Sequence, residues 1–98
     1  MKLYHCSALK TDVFVVCRNK LLSADQVMLE VLLFDSEGVL LFPITIPFCT
    51  HRENCSYVTD EKSWLPKFLV DNKIANPTYR RLHKGGHVYS EYKFERKK

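Results

Sequence analysis

An α+β domain, with an antiparallel β-sheet of about five or six strands packed against one short α-helix, is the fold this sequence predicts. Three observations lead there. Most apolar runs are short, rich in β-branched and aromatic residues, and end in turn sequences. One segment, with Trp64, Leu65, Phe68 and Leu69, repeats its apolar residues at helical spacing. The chain has 98 residues, 46% hydrophobic and 27% charged, which suits a single globular domain over residues 1–98 rather than disorder.

Taken in order, residues 2–7 form a short first strand. Asp12-Val13-Phe14-Val15-Val16-Cys17-Arg18 is apolar on both faces, so it reads as a central strand. Residues 21–25 connect it to a third strand over residues 26–34. Asp35-Ser36-Glu37-Gly38 has the composition of a hairpin turn. Residues 39–48 follow as a strand with Leu40, Phe42, Ile44, Ile46 and Phe48 on one face. Pro43 and Pro47 remove two ladder donors, so this strand lies at an edge or pairs only over its first half.

Residues 49–56 read as a polar loop, and Tyr57-Val58 as a short strand or a staple before the helix. Ser63 is the expected N-cap, with Pro66 in the first turn. Asn72 is the expected left-handed cap, with Ile74 covering the helix end. Asn76-Pro77 reads as a turn. Residues 78–83 and 87–94 make a second hairpin around Lys84-Gly85-Gly86, and residues 95–98 form a charged tail. The expected core is Phe14, Val16, Leu29, Val31, Leu33, Leu40, Phe42, Ile44, Trp64, Phe68 and Leu69.

Charge is unevenly spread. Residues 21–66 carry two basic and seven acidic residues, and residues 67–98 carry nine basic and three acidic ones. An acidic middle and a basic end bear on partners rather than on fold. No stretch reaches the roughly 20 apolar residues that span a bilayer, and Met1-Lys2-Leu3-Tyr4-His5-Cys6 lacks the apolar core of a signal peptide. The protein is expected to stay in the cytoplasm, with its four cysteines reduced.

The stretch Tyr57-Val58-Thr59-Asp60 before a short helix, then Asn72-Lys73-Ile74-Ala75-Asn76-Pro77-Thr78-Tyr79-Arg80-Arg81, then Gly86-His87-Val88-Tyr89, is similar to a family of small phage and mobile-element proteins, domain of unknown function 4313. The resemblance covers about the last two thirds of the chain. Lys73 and Tyr79 stand where the family pattern has glycines. It implies a mobile-element origin and an α+β fold, and no activity.

Four kinds of chemistry are open to these residues. Cys49, Cys55, His83 and His87 have the donor types of a tetrahedral zinc site, and His83 and His87 have the H-x3-H spacing. The Cys pair is spaced too widely for a finger knuckle, and the histidines flank a turn. The plain alternative is loop thiols and solvated histidines. Cys49 or Cys55 with His51 would be a nucleophile pair without an orienting third residue. There is no phosphate-binding loop, dinucleotide fingerprint or serine elbow, so neither enzyme activity nor a cofactor is expected.

The third kind is nucleic-acid binding. Tyr79, Arg80, Arg81, Lys84, Tyr89 and Lys93, extended by His83, His87, Arg96, Lys97 and Lys98, interleave positive charge with aromatic rings. The fourth is protein binding, by an acidic surface of Glu53, Asp60 and Glu61 or by the proline-bearing edge strand, which would also permit a homodimer. The resulting expectation is a non-enzymatic accessory protein that binds a host protein or ribonucleoprotein. An inhibitor of a nucleic-acid-handling defence system, resembling anti-CRISPR proteins, fits that expectation. The alternatives are direct nucleic-acid binding by the C-terminal hairpin and a small zinc-stapled module.

Overall fold

The computed structural model describes residues 2–95. Arg96, Lys97 and Lys98, expected in the basic tail, lie outside the described residues. Within them the chain runs β1 (Tyr4–Cys6), β2 (Thr11–Ser23), β3 (Gln26–Asp35), β4 (Leu40–Pro43), β5 (Cys55–Val58), α1 (Leu65–Asp71), β6 (Ala75–Lys84) and β7 (His87–Phe94).

The strands form two antiparallel sheets, of order β1-β2-β3-β4 and β5-β7-β6. The one sheet of five or six strands is thus corrected to seven strands in two sheets. Pro43 and Pro47 explain the division. Between them, Ile44-Thr45-Ile46 leaves one sheet and joins the other. Ile44 donates its N–H to Val31 of β3, and its carbonyl accepts from Thr59 just beyond β5, at 2.8 Å each. Ile46 donates to Tyr57 of β5 at 3.0 Å. Thr45, bridged to Val58, turns its buried hydroxyl back to accept the Val31 N–H at 3.1 Å. The prolines limit how far either ladder can extend.

Parts of three segments read as connections belong to strands. The β2–β3 ladder runs to Ser23 opposite Gln26, leaving Ala24-Asp25 as the turn, with the Ser23 hydroxyl donating to Asp25. Cys55 and Ser56 lie in β5, and Asn76-Pro77 in β6. β2 lies inside its sheet, as its two apolar faces require, and β4 forms an edge.

The core joins both sheets through Val13, Val31, Leu33, Ile44, Leu65, Leu69, Ala75 and Phe94. Of the expected core, Phe14, Leu29, Val31, Leu33, Ile44, Phe68 and Leu69 are buried, and Val16, Phe42 and Trp64 half-buried. Leu40 is exposed. A bulge sets Leu33 opposite Phe42 but Phe34 opposite Leu40. The extra residue, Leu41, shifts the alternation and turns Leu40 away from the core.

Helix α1 buries Leu65, Phe68 and Leu69. Trp64 packs edge-to-face on Phe42 and Phe68 at 6.0 Å. The N-cap is Trp64, without a side-chain cap bond, rather than Ser63; Pro66 does sit in the first turn. Asn72 ends the helix with φ −93°, and Lys73 takes the left-handed conformation at φ 57° in its place. Asn72 instead donates its amide to the Phe68 carbonyl at 2.9 Å. Ile74 is buried at the helix end, as expected.

Candidate functional site

Strands β6 and β7 form a hairpin closed by Gly85 and Gly86, both at positive φ. Two consecutive left-handed residues make the tight turn whose twist matches paired strands. Strand β5 pairs with β7 from Ser90 to Lys93. Toward the turn, β7 pairs with β6 alone, and the hairpin extends past its own sheet. His83, Lys84 and His87 are exposed there, and Arg80 and Arg81 are exposed where β7 still pairs with β5. No aspartate or glutamate lies between Tyr79 and Tyr89.

The β6–β7 ladder is interrupted. Pro77 opposes Tyr92 and Arg81 opposes Ser90, so Thr78, Tyr79 and Arg80 together face Glu91. Within this bulge Tyr79 has φ 68° and is 87% exposed. The bulge is held from inside. The Thr78 hydroxyl donates to Glu91 Oε1 at 2.6 Å and accepts the Arg80 N–H at 3.4 Å.

Glu91 is 1% exposed. Its Oε2 has no hydrogen-bond partner among the described residues, and Arg52 Nε lies 3.6 Å from Oε1. Arg52 belongs to the loop of residues 48–54, which folds back over this face of the sheet. Phe48 meets Tyr57 edge-to-face at 5.6 Å, and Lys84 rests over the Phe48 ring. The Thr50 hydroxyl accepts the Arg52 N–H at 3.1 Å. Burial pushes the Cys55 thiol pKa up, and the charge of Glu91 adds to the rise. The Tyr92 hydroxyl is raised by burial, then by nearby Tyr79.

The sequence-predicted residues divide accordingly. Tyr79, Arg80, Arg81, Lys84 and Tyr89 share the hairpin, with Tyr89 stacked on His87 at 5.7 Å. Lys93 lies at the far end of β7, opposite Cys55 and Asn76. Of the acidic residues, Asp60 lies 2.7 Å from His87 Nδ1, against the basic hairpin, with exposed Glu61 beside it. Glu53 is exposed in the loop next to Arg52.

The metal candidates are not drawn together. Cys49 gives its thiol to the Val27 carbonyl and lies 3.6 Å from His51, Cys55 is buried, and His83 opposes Val88. Among the described residues no three or more His, Cys, Asp or Glu side chains gather as a metal would require. No helix among them is long and apolar enough to cross a membrane.

Sequence reasoning missed Thr78, Glu91 and Arg52. Glu91 alternates with Tyr89 and Lys93 in a pattern that reads as a solvated face, and only the returning loop buries it. Lys73 and Tyr79 both adopt positive φ, which nothing in their own residue types signals. No protein family, curated protein or solved structure matches this chain.

Proposed function

We propose that this chain is a non-enzymatic binding protein that engages nucleic acid, free or as the nucleic-acid part of a host ribonucleoprotein, through the β6–β7 hairpin. The observation that carries this reading is the extended hairpin with Arg80, Arg81 and Lys84 exposed on it and no carboxylate between Tyr79 and Tyr89. Guanidinium and ammonium groups placed along a two-stranded ribbon neutralise phosphates and release condensed counterions. The acidic alternative has less support, since Asp60 is already engaged by His87. The resemblance to mobile-element proteins supports a role in the host cytoplasm, against nucleic-acid-handling machinery.

The test is fluorescence anisotropy with labelled DNA and RNA across a salt series. The double variant Arg80→Ala/Arg81→Ala is expected to weaken binding to every sequence. The slope of log K against log salt should flatten by about one to two, one phosphate contact per arginine. No binding at low salt would overturn the reading. Pull-down from bacterial lysate, with and without nuclease, then separates free nucleic acid from a ribonucleoprotein.

A further inference from the structure

Tyr79 is the least explained residue of the hairpin. Its φ of 68° lies in the left-handed region, which glycine occupies freely and an aromatic residue does not. The residue is 87% exposed, so packing does little to offset that cost. A glycine would relieve the backbone and expose less apolar surface. A strained, solvent-facing aromatic residue is an outlier of the kind that marks functional sites.

The surroundings indicate what it would meet. Arg80 and Arg81 follow directly and are exposed. The bulge that displays the ring is fixed by the Thr78 hydroxyl on the buried Glu91 carboxylate, so the ring's display is pre-set rather than adopted on contact. Cations beside an outward aromatic face suit a phosphate backbone with its bases turned out. In a duplex the base faces are already stacked on one another, and a tyrosine ring finds only edges.

Resting on the hairpin as the nucleic-acid surface, we infer that Tyr79 is a stacking platform for an unpaired nucleobase, and that the nucleic acid this protein takes is single-stranded. The ring supplies stacking, Arg80 and Arg81 hold the adjoining phosphates, and Thr78 with Glu91 positions the bulge.

The experiment compares a fluorescein-labelled single-stranded oligonucleotide, as DNA and as RNA, with the same sequence as a duplex. Each is titrated with the parent chain and with Tyr79→Phe and Tyr79→Gly. The parent is expected to prefer the single strand, with the DNA and RNA arms identifying the natural source. Tyr79→Phe, which keeps the ring, should bind like the parent. Tyr79→Gly should lose about tenfold in single-strand affinity, within the range of one stacked base, with its salt slope unchanged.

Because the left-handed strain is relieved, Tyr79→Gly should also melt a few degrees above the parent. Misfolding therefore cannot explain its loss of binding. A duplex bound as tightly as the single strand, a Tyr79→Gly chain that binds normally, or one that melts lower would overturn the inference. If Arg80→Ala/Arg81→Ala still weakened binding, the hairpin reading would survive that result. Failure of every nucleic acid to bind would remove both.

Discussion

Thr78 illustrates how one side chain links the interior to the proposed binding surface. Its hydroxyl donates to a buried carboxylate and accepts from the Arg80 backbone, so the bulge carrying Tyr79 inherits the rigidity of the core. Hydrogen bonds to charged partners are worth about 1.5–3 kcal/mol. Thr78→Val should cost about that much in urea unfolding, because Glu91 Oε1 would keep only the distant Arg52. Glu30 offers a pH test. Burial would raise its pKa, but hydrogen bonds and charges from Arg18 and Lys20 outweigh burial and lower it. A lowered carboxyl stabilises the fold above the unfolded value, and that contribution is lost as pH falls through the folded one. The parent should lose stability from this group below about pH 4.3, the ordinary glutamate value. Glu30→Gln should show a shallower decline. Arg18 and Lys20 are both about half exposed, which holds the effect to about 1 kcal/mol or less.

Among the elements, the crossing segment Ile44-Thr45-Ile46 matters most to the architecture. It bonds to β3 on one side and to β5 on the other, and Ile44 is fully buried. Thr45→Val would keep the shape but leave the buried Val31 N–H without its acceptor. A cost of about 1–3 kcal/mol is expected by chemical denaturation. Helix α1 has seven residues and no side-chain N-cap, so its stability comes from the face it buries. Leu69→Ala, at a fully buried site, should cost about 2–5 kcal/mol through lost transfer energy and a residual cavity.

For the whole molecule, the two sheets share the cluster that holds Val13, Val31, Leu33, Ile44, Ala75 and Phe94, and the bridge at Thr45 joins them, so each leans on the other for its main apolar contacts. Unfolding should therefore be a single transition, with Trp64 fluorescence and far-UV circular dichroism giving coincident midpoints. Two resolved midpoints would mean that the sheets are independent units. The net charge of +4 is concentrated toward the C-terminal third. In the proposed reading its use as a binding surface depends on how the β6–β7 hairpin displays these side chains, a property of the assembly rather than of the tally of lysines and arginines.

How much was legible follows from the range of the forces involved. Strand composition, the glycine turn at Gly85-Gly86, the apolar spacing of α1 and the run of basic and tyrosine residues are written locally. These are enough to place the hairpin that carries Tyr79, Arg80, Arg81, Lys84 and Tyr89. The prolines even marked where the fourth strand stops pairing. The partition into two sheets was not legible, because which neighbour Ile44 and Ile46 choose depends on β3 and β5, which are distant in sequence. Leu40 was misplaced because one inserted residue in a ladder reverses the faces, and a bulge leaves no compositional mark. Glu91 reads as a surface carboxylate in its strand. The loop bearing Arg52 encloses it, and that burial ties Thr78 to the core and turns Tyr79 outward. The local sequence determined which residues carry the charge and the rings of the proposed surface; only the tertiary structure decided which of them are held in place, since burial and cross-strand register are set by contacts between segments that do not adjoin in the chain.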